Sequence, residues 1–262
     1  MPTLNAMAGR VLPDRVWNAI KSVAGYRLFY RQTSTLSSGV SLRVKDHPDW
    51  TVFTEIFVDG AYDGPIGDAL RDAETDLTVL DLGANAGFFT LRLIDRLRRF
   101  RPDLSARVLA VEAGDRPAAK FAARVLAENG LCEAVTLVQG LVGKRAGSAV
   151  FAQYPATTNN TVHHPNLAAG PVDYVDLEPL LDAGAPVDLI KCDIEGSEFD
   201  FLSSYPDLLA RTRRVVIELH HAFVDADACD ALLRQAGLVR QTSAPSGDCR
   251  VDYWERPPTP TL

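Results

Sequence analysis

Two groups of residues in this 262-residue chain are of types that do chemistry. The first is Asp81-Leu82-Gly83-Ala84-Asn85-Ala86-Gly87, in which an apolar run ends in an acid, breaks into small residues and restarts at Phe88 as a helix. Glu112 belongs with it, because it closes the next apolar run, Arg107-Val108-Leu109-Ala110-Val111-Glu112. A glycine turn feeding a helix, with an acid at the end of the following strand, is how a parallel α/β sheet holds a nucleoside. The second group is Asp193, Glu195, Glu198, Glu218 and His220. Carboxylates gathered at the mouth of a buried sheet repel one another unless something cationic sits among them, whether a ligand's charge, a metal or protons.

The spacing narrows the nucleoside. A dinucleotide fingerprint requires G-x-G-x-x-G, with the second glycine admitting a pyrophosphate. Here the turn reads Gly83-Ala84-Asn85-Ala86-Gly87, and an asparagine side chain crowds a diphosphate but can hydrogen-bond a small zwitterion. S-adenosyl-L-methionine fits, with an adenosine, an amino-acid end and no phosphate. In this reading Gly83 and Gly87 let the backbone approach the cofactor and Asp81 takes its ammonium, directly or through water. The N-terminus of the next helix favours its carboxylate, and Glu112 accepts from both ribose hydroxyls. The plainer alternative is a strand-turn-helix whose glycines serve only packing.

The elements that must carry these residues alternate. Strands are expected at 77–82, 107–112 and 134–139, with helices at 87–100 and 116–128 between them. Pro102-Asp103 and Asn129-Gly130 supply the stops. Ser148–Gln153 and Pro171–Val175 read as short strands flanking a polar loop, Tyr154–Asn166. A helix at 176–182, a buried strand at 187–193, a helix at 197–209, a strand at 214–219 and a helix at 225–236 follow. A closing pair stands near 238–242 and 249–255. Residues 49–60 are apolar at both helical and strand periods, so an element is expected there without its type. Strands joined by crossover helices predict a doubly wound, mostly parallel sheet with an antiparallel carboxyl-terminal edge. Ligands then lie over the carboxyl ends of the strands, which adds Ala113, Gly140 and Leu141 to the expected pocket.

Composition bounds the partners. A 47% hydrophobic fraction supports a sizeable core, and a net charge of −7 argues against nucleic acid as partner. No run of eighteen apolar residues spans a membrane, and no signal peptide is visible at Met1–Ala8. Cys132, Cys192, Cys229 and Cys249 lack C-x-x-C spacing and fit a reduced, cytoplasmic protein. Residues 1–45 hold seven Lys or Arg against the single acid Asp14. This basic arm, taken as 1–48, has Trp17, Ile20 and Ala24 near helical spacing. It reads as a helix packed on the main domain, a lid, a steering arm or a homo-oligomer contact. The main domain is expected over 49–256 and a disordered tail over 257–262.

Val79–Leu91, Glu112, the segment Asp188-Leu189-Ile190-Lys191-Cys192-Asp193-Ile194-Glu195-Gly196-Ser197-Glu198-Phe199, and Val215–His220 together resemble the FkbM family of S-adenosylmethionine-dependent methyltransferases. The most diagnostic piece is I-K-x-D-x-E-G-x-E, matched at Ile190, Lys191, Asp193, Glu195, Gly196 and Glu198. The resemblance covers roughly 50–255 and implies a class I methyltransferase fold of Rossmann-like type. It also implies O-methylation of a hydroxyl on a polyketide, sugar or other secondary metabolite. Cys192 and Gly114 depart mildly from the pattern.

Transfer from a sulfonium is a single displacement, so the protein must align the acceptor oxygen and help remove its proton. His220 is the first candidate for that base, since its ordinary pKa lies near neutrality, and Asp193 is the second. Glu195 reads as structural or cofactor-facing, bonding backbone at the start of helix 197–209. A Mg²⁺ ion held by Asp193 and Glu218 is a possible but less favoured alternative, and zinc is not expected because the histidines are adjacent pairs. A non-catalytic cofactor-binding module and an NAD-dependent dehydrogenase are the remaining rivals.

Overall fold

In the computed structural model, which describes residues 26, 30, 32–74, 76–151 and 170–258, the chain enters through an antiparallel hairpin, β1 (Thr33–Thr35) and β2 (Ser41–Arg43). Val40, Leu42 and Val44 anchor it in the main core, and Asn129 clips it by accepting from the Ser41 N–H and donating to its carbonyl. Trp17, Ile20 and Ala24, the polar loop Tyr154–Asn166 and the last four residues lie outside the described residues.

Segment 49–60, apolar at both periods, is helical. Asp46 caps the Asp49 N–H and Pro48 sits in the first turn, so α1 (His47–Phe53) starts cleanly and runs into a π-helical stretch, Thr54–Val58. Helix α2 (Asp63–Asp72) leads to β3 (Leu77–Leu82), α3 (Phe88–Phe100) and β4 (Ala106–Glu112). Helix α4 (Asp115–Phe121) then passes into a second π-helical stretch, Ala122–Ala127, before β5 (Val135–Gln139). The short strands β6 (Ser148–Val150) and β7 (Pro171–Asp173) pair antiparallel. They are followed by β8 (Leu189–Cys192), α5 (Glu198–Ser204), α6 (Pro206–Ala210), β9 (Arg214–His220), α7 (Ala226–Gln235), β10 (Val239–Ser246) and β11 (Cys249–Glu255).

The main sheet has seven strands in the order β10-β11-β9-β8-β3-β4-β5. β3, β4, β5, β8 and β9 run parallel, and the hairpin β10–β11 closes the edge antiparallel. This is the α/β arrangement the alternation predicts. Leu77 and Val79 feed one apolar layer and Leu80 and Leu82 the other, so helices cover both faces. The chain leaves β3 toward β4 and β5, then returns to β8 on β3's other side. Ligands of such sheets lie at that reversal, and the β3 loop and the end of β8 meet there.

Three expected elements differ. The helix at 197–209 is broken at Tyr205, because Pro206 cannot continue the hydrogen-bond ladder. The helix at 176–182 is only a 3₁₀ turn, Glu178–Leu180. The strand near 238–242 runs on to Ser246, its side chains exposed throughout. No helix among the described residues is long and apolar enough to cross a membrane.

Candidate active site

The loop after β3 is held by its own backbone. Gly83 and Ala84 donate to the Val111 carbonyl at 3.0 and 2.9 Å, and Gly87 donates to Ala84 at 3.0 Å. The Asn85 N–H reaches Glu112 Oε2, and the Ala86 N–H reaches Asn85 Oδ1, both at 2.7 Å. Every N–H from 83 to 87 is therefore spent inside the protein, leaving none to cradle a pyrophosphate. Asn85 adopts φ +48°, a conformation asparagine tolerates better than most residues.

Packing requires both glycines, and Gly83 also lines the crevice over the strand ends. A Cβ on Gly83 (φ +72°) would stand 1.7 Å from the Asp193 carbonyl oxygen, and one on Gly87 (φ +87°) 2.4 Å from Val125 Cγ2. Gly83 lets β8's end close on β3; Gly87 lets α3 pack on the helix after β4.

A crevice of about 530 Å³ opens over the ends of β3, β4 and β5, lined among others by Gly83, Asn85, Glu112, Ala113, Gly140, Leu141 and Asp193. Seven of the residues expected to hold the cofactor thus share one cavity. Asp81 and Gly87 are not on its wall, and Ala84 faces a neighbouring chamber. Asp81 is wholly buried beneath the loop, accepting from Thr90 Oγ1 at 2.7 Å, with Lys191 Nζ 3.7 Å from Oδ1. Burial raises its pKa against the pull of Lys191. Glu112 Oε1 accepts from the Gly114 N–H at 2.7 Å. Burial lifts its pKa to about 7 in spite of these two backbone donors.

The second chamber, about 990 Å³, lies beside the first and contains Asp193, Glu218 and His220. Thr51, Val52, Glu55 and Ile56 come from α1 and its π-helical extension. Phe88 and Phe89 come from α3, and Ser246–Cys249 from the β10–β11 turn. Asn85, Asp193 and Glu195 line both cavities.

Two buried cations organise the acids. Lys191 Nζ donates to the Gly83 carbonyl at 2.6 Å and stands 3.5 Å from Asp193 Oδ2. His220 Nδ1 meets Glu198 Oε1 at 2.7 Å, and Nε2 meets Glu195 Oε2 at 3.0 Å. Burial alone would lower the His220 pKa, but the hydrogen bonds to Glu195 and Glu198 overcome it and raise it to about 11. The imidazole is therefore a cation at neutral pH, with no lone pair to accept a proton. Glu195 reaches His220, and Glu198 also accepts from the Gly196 N–H at 3.0 Å. Glu218 has a pKa near 7, raised by burial and then by Asp193, against the opposing pull of His220.

Donor atoms of Asp193, Glu195 and His220 lie within 4.8 Å of one another, as do those of Glu218, His220 and Cys249. Asp193 and Glu218 thus meet through His220 instead of forming one grouping. Sequence spacing gives no sign of Cys249, which the edge hairpin brings in, or of Glu55. Lys191, named in the sequence only as part of the I-K-x-D-x-E-G-x-E pattern, stands in register with Asp81 on the neighbouring strand, which supplies a carboxylate to a lysine inside an apolar run.

Residues 81–239 match the family model described as Methyltransferase FkbM domain. A Jannaschia sp. (strain CCS1) protein provisionally named a methyltransferase is 26% identical over 184 residues, which are 64% of this chain and 64% of that protein. The match therefore spans less than two thirds of the relative. Among solved structures, Methyltransferase FkbM from Methylobacillus flagellatus KT aligns over 91% of this chain and 60% of its own, at 12% identity and TM-score 0.49. The N-terminal domain of human METTL16 in complex with SAH aligns over 98% of each chain, at 14% identity and TM-score 0.49. The family-model match covers more than half of the chain and includes the glycine loop, Glu112 and the Lys191–Glu198 segment. This chain belongs to the FkbM family of S-adenosylmethionine-dependent methyltransferases.

Proposed function

We infer that the chain transfers a methyl group from S-adenosyl-L-methionine to a hydroxyl oxygen of a small molecule, with Glu218 as the base. The observation that carries this is the shared wall: Asn85, Asp193 and Glu195 border both the crevice and the acid-lined chamber. A donor in the crevice and an acceptor in the chamber meet only there.

The donor fits the crevice residues. Asp81 Oδ1 has no closer donor among the described residues than Lys191 Nζ at 3.7 Å, and it lies beneath the loop off the crevice wall, so it would meet a bound ammonium through water. Each Glu112 oxygen takes one backbone N–H and keeps a lone pair for a ribose hydroxyl. When bound, the cofactor supplies an already activated methyl group. The chain's residues supply alignment and proton removal, the latter worth roughly 10²–10⁴ in rate. Asp193, beside both cavities, orients the acceptor hydroxyl, and Glu218, with its pKa close to neutrality, takes the proton. His220, charged at neutral pH, is reassigned from base to the cation that holds Glu195 and Glu198 together.

Glu55, Asp193, Glu195, Glu218 and Asp248 line the chamber against Lys191 and His220. That balance disfavours phosphorylated acceptors and nucleic acid. Carboxylates beside Phe88 and Phe89 suit an uncharged, hydroxyl-rich molecule with an apolar side, such as a sugar-bearing or polyketide metabolite. A divalent cation is the second reading, supported by the two donor groupings around His220. It is less favoured because both ring nitrogens of His220 already engage carboxylates.

The test is turnover of labelled S-adenosyl-L-methionine with a panel of hydroxylated metabolites, with and without exhaustive EDTA treatment. Label transfer that survives EDTA is expected. Loss on EDTA and recovery with Mg²⁺ would favour the metal. Calorimetry showing NADH binding and no response to S-adenosylhomocysteine would reject the cofactor.

A further inference from the structure

Arg124 lies in the second π-helical stretch, lines neither cavity, and is 0% exposed. π-helical insertions turn a side chain off the regular helical phase and recur at functional sites. Here the guanidinium is aimed inward, where it joins three separate segments. Nη1 donates to the Ala86 carbonyl at 2.6 Å, inside the loop between β3 and α3. Nη2 donates to the Arg43 carbonyl at the end of β2 at 2.9 Å and to Asp49 Oδ2 on α1 at 2.6 Å. The guanidinium carbon also lies 4.2 Å from the centre of the Phe88 ring, part of the chamber wall.

Asp49 is itself 98% covered, and it collects Lys120 at 3.0 Å and the Lys45 N–H at 2.9 Å. The next turns of the same helix, Thr51, Val52, Glu55 and Ile56, form the wall of the acid-lined chamber. None of these four borders the crevice. They also lie before residue 81, outside the span the family model matches. One side of the acceptor chamber is therefore built by a segment before residue 81, tied to the shared loop through the buried Arg124–Asp49 ion pair and to α3 by the Phe53–Phe88 and Phe57–Phe88 ring contacts. If α1 drifts from that loop, a buried guanidinium loses its carboxylate, so the two must move together.

We propose that Arg124 is a positioning residue that registers the acceptor wall, Thr51 to Ile56, against the Asn85–Ala86 turn, so that filling the crevice stiffens a wall the crevice ligand does not touch. This rests on the reading of the crevice as the cofactor site. Acceptor selectivity then resides in Thr51, Val52, Glu55 and Ile56, and cofactor and acceptor bind with positive coupling.

Amide hydrogen exchange on the full chain, with and without saturating S-adenosylhomocysteine, tests it. In the wild type, exchange in 83–91 and in 47–58 should both slow on ligand addition, the latter by about five-fold or more. In Arg124→Lys, which keeps a charge but loses the three-way fork, the effect in 83–91 should remain and that in 47–58 should disappear. If Arg124→Lys does not fold, Asp49→Asn takes its place with the same expectation. A wild type protected in 83–91 alone overturns the proposal, as does a variant that keeps the remote protection. No protection in 83–91 would instead overturn the cofactor reading, and the coupling with it.

Discussion

Replacing Glu218 by Gln should make the protein more stable at alkaline pH while removing its turnover. Glu218 is half-buried, and burial together with Asp193 lifts its pKa from the ordinary 4.5 to about 7. A group whose pKa is raised on folding favours the fold below its unfolded pKa and costs stability as pH rises through the folded value. Above pH 7, the ionised Glu218 therefore weighs against the native state by about 3 kcal/mol, at 1.36 kcal/mol per pH unit. Solvent reaching the side chain reduces this to about 1–2 kcal/mol. Gln keeps the shape and removes the charge. Urea unfolding should show Glu218→Gln stabilised by that amount at pH 8, a rise in Tm of about 2–8 °C. Most of the gain should vanish at pH 5, where the native wild-type side chain already holds its proton. Turnover should fall by about 10²-fold or more. Affinity for S-adenosylhomocysteine should stay unchanged, since Glu218 is not on the crevice wall. Equal stabilisation at both pH values would refute the electrostatic argument, and wild-type turnover would remove Glu218 as base.

Glu112→Gln keeps an acceptor for only one of the two backbone N–H groups and cannot serve both ribose hydroxyls. Calorimetry should find S-adenosylhomocysteine binding weakened about 10- to 100-fold. In the wild type, with Glu112 near pKa 7, affinity should climb as pH rises toward 7 and then level off. A slope that persists in the variant would assign it to another group. His220→Ala strands Glu195 and Glu198 without their shared cation and should cost about 3–5 kcal/mol in chemical denaturation. A loss under 1 kcal/mol would show that the carboxylates do not depend on it. Gly83→Ala places a methyl 1.7 Å from the Asp193 carbonyl oxygen and should cost more than about 4 kcal/mol. A variant melting like the wild type would show that the loop yields without penalty.

The central sheet was legible because its strands, from β3 to β9, are continuous apolar runs, each followed by a turn residue or an acid. The crevice was legible for the same reason, since residues just past parallel strand ends converge whatever their separation in sequence. What sequence hid came from elsewhere. Glu55 enters the chamber from a segment apolar at both periods, whose helical identity is settled by the Asp46 cap and Pro48. Cys249 arrives only because the edge hairpin pairs it opposite His220. Gly87 looked like a ligand-facing glycine because the motif places it at a helix start, yet its missing Cβ is filled by Val125 and Phe121. A glycine required by packing and one required by a ligand have the same sequence signature.

The histidine shows why residue type alone does not assign a role. Imidazole suggests a base because its ordinary pKa lies near 7, but its state is set by what touches it. Two carboxylates within 3.0 Å fix His220 as a cation, and Lys191 is fixed likewise by Asp81, Asp193 and the Gly83 carbonyl. One cation thus serves the crevice side and one the chamber side, and both are committed to acids already present. Glu55 feels the charge of Lys191 and Glu218 that of His220, but burial and the charge of Asp193 outweigh these and raise both pKa values. If the acceptor loses its proton in the chamber, as proposed, these are the carboxylates placed to take it. In the proposed reading, the basicity expected of the histidine falls to Glu218, two residues earlier on the same strand, whose pKa is raised to about 7.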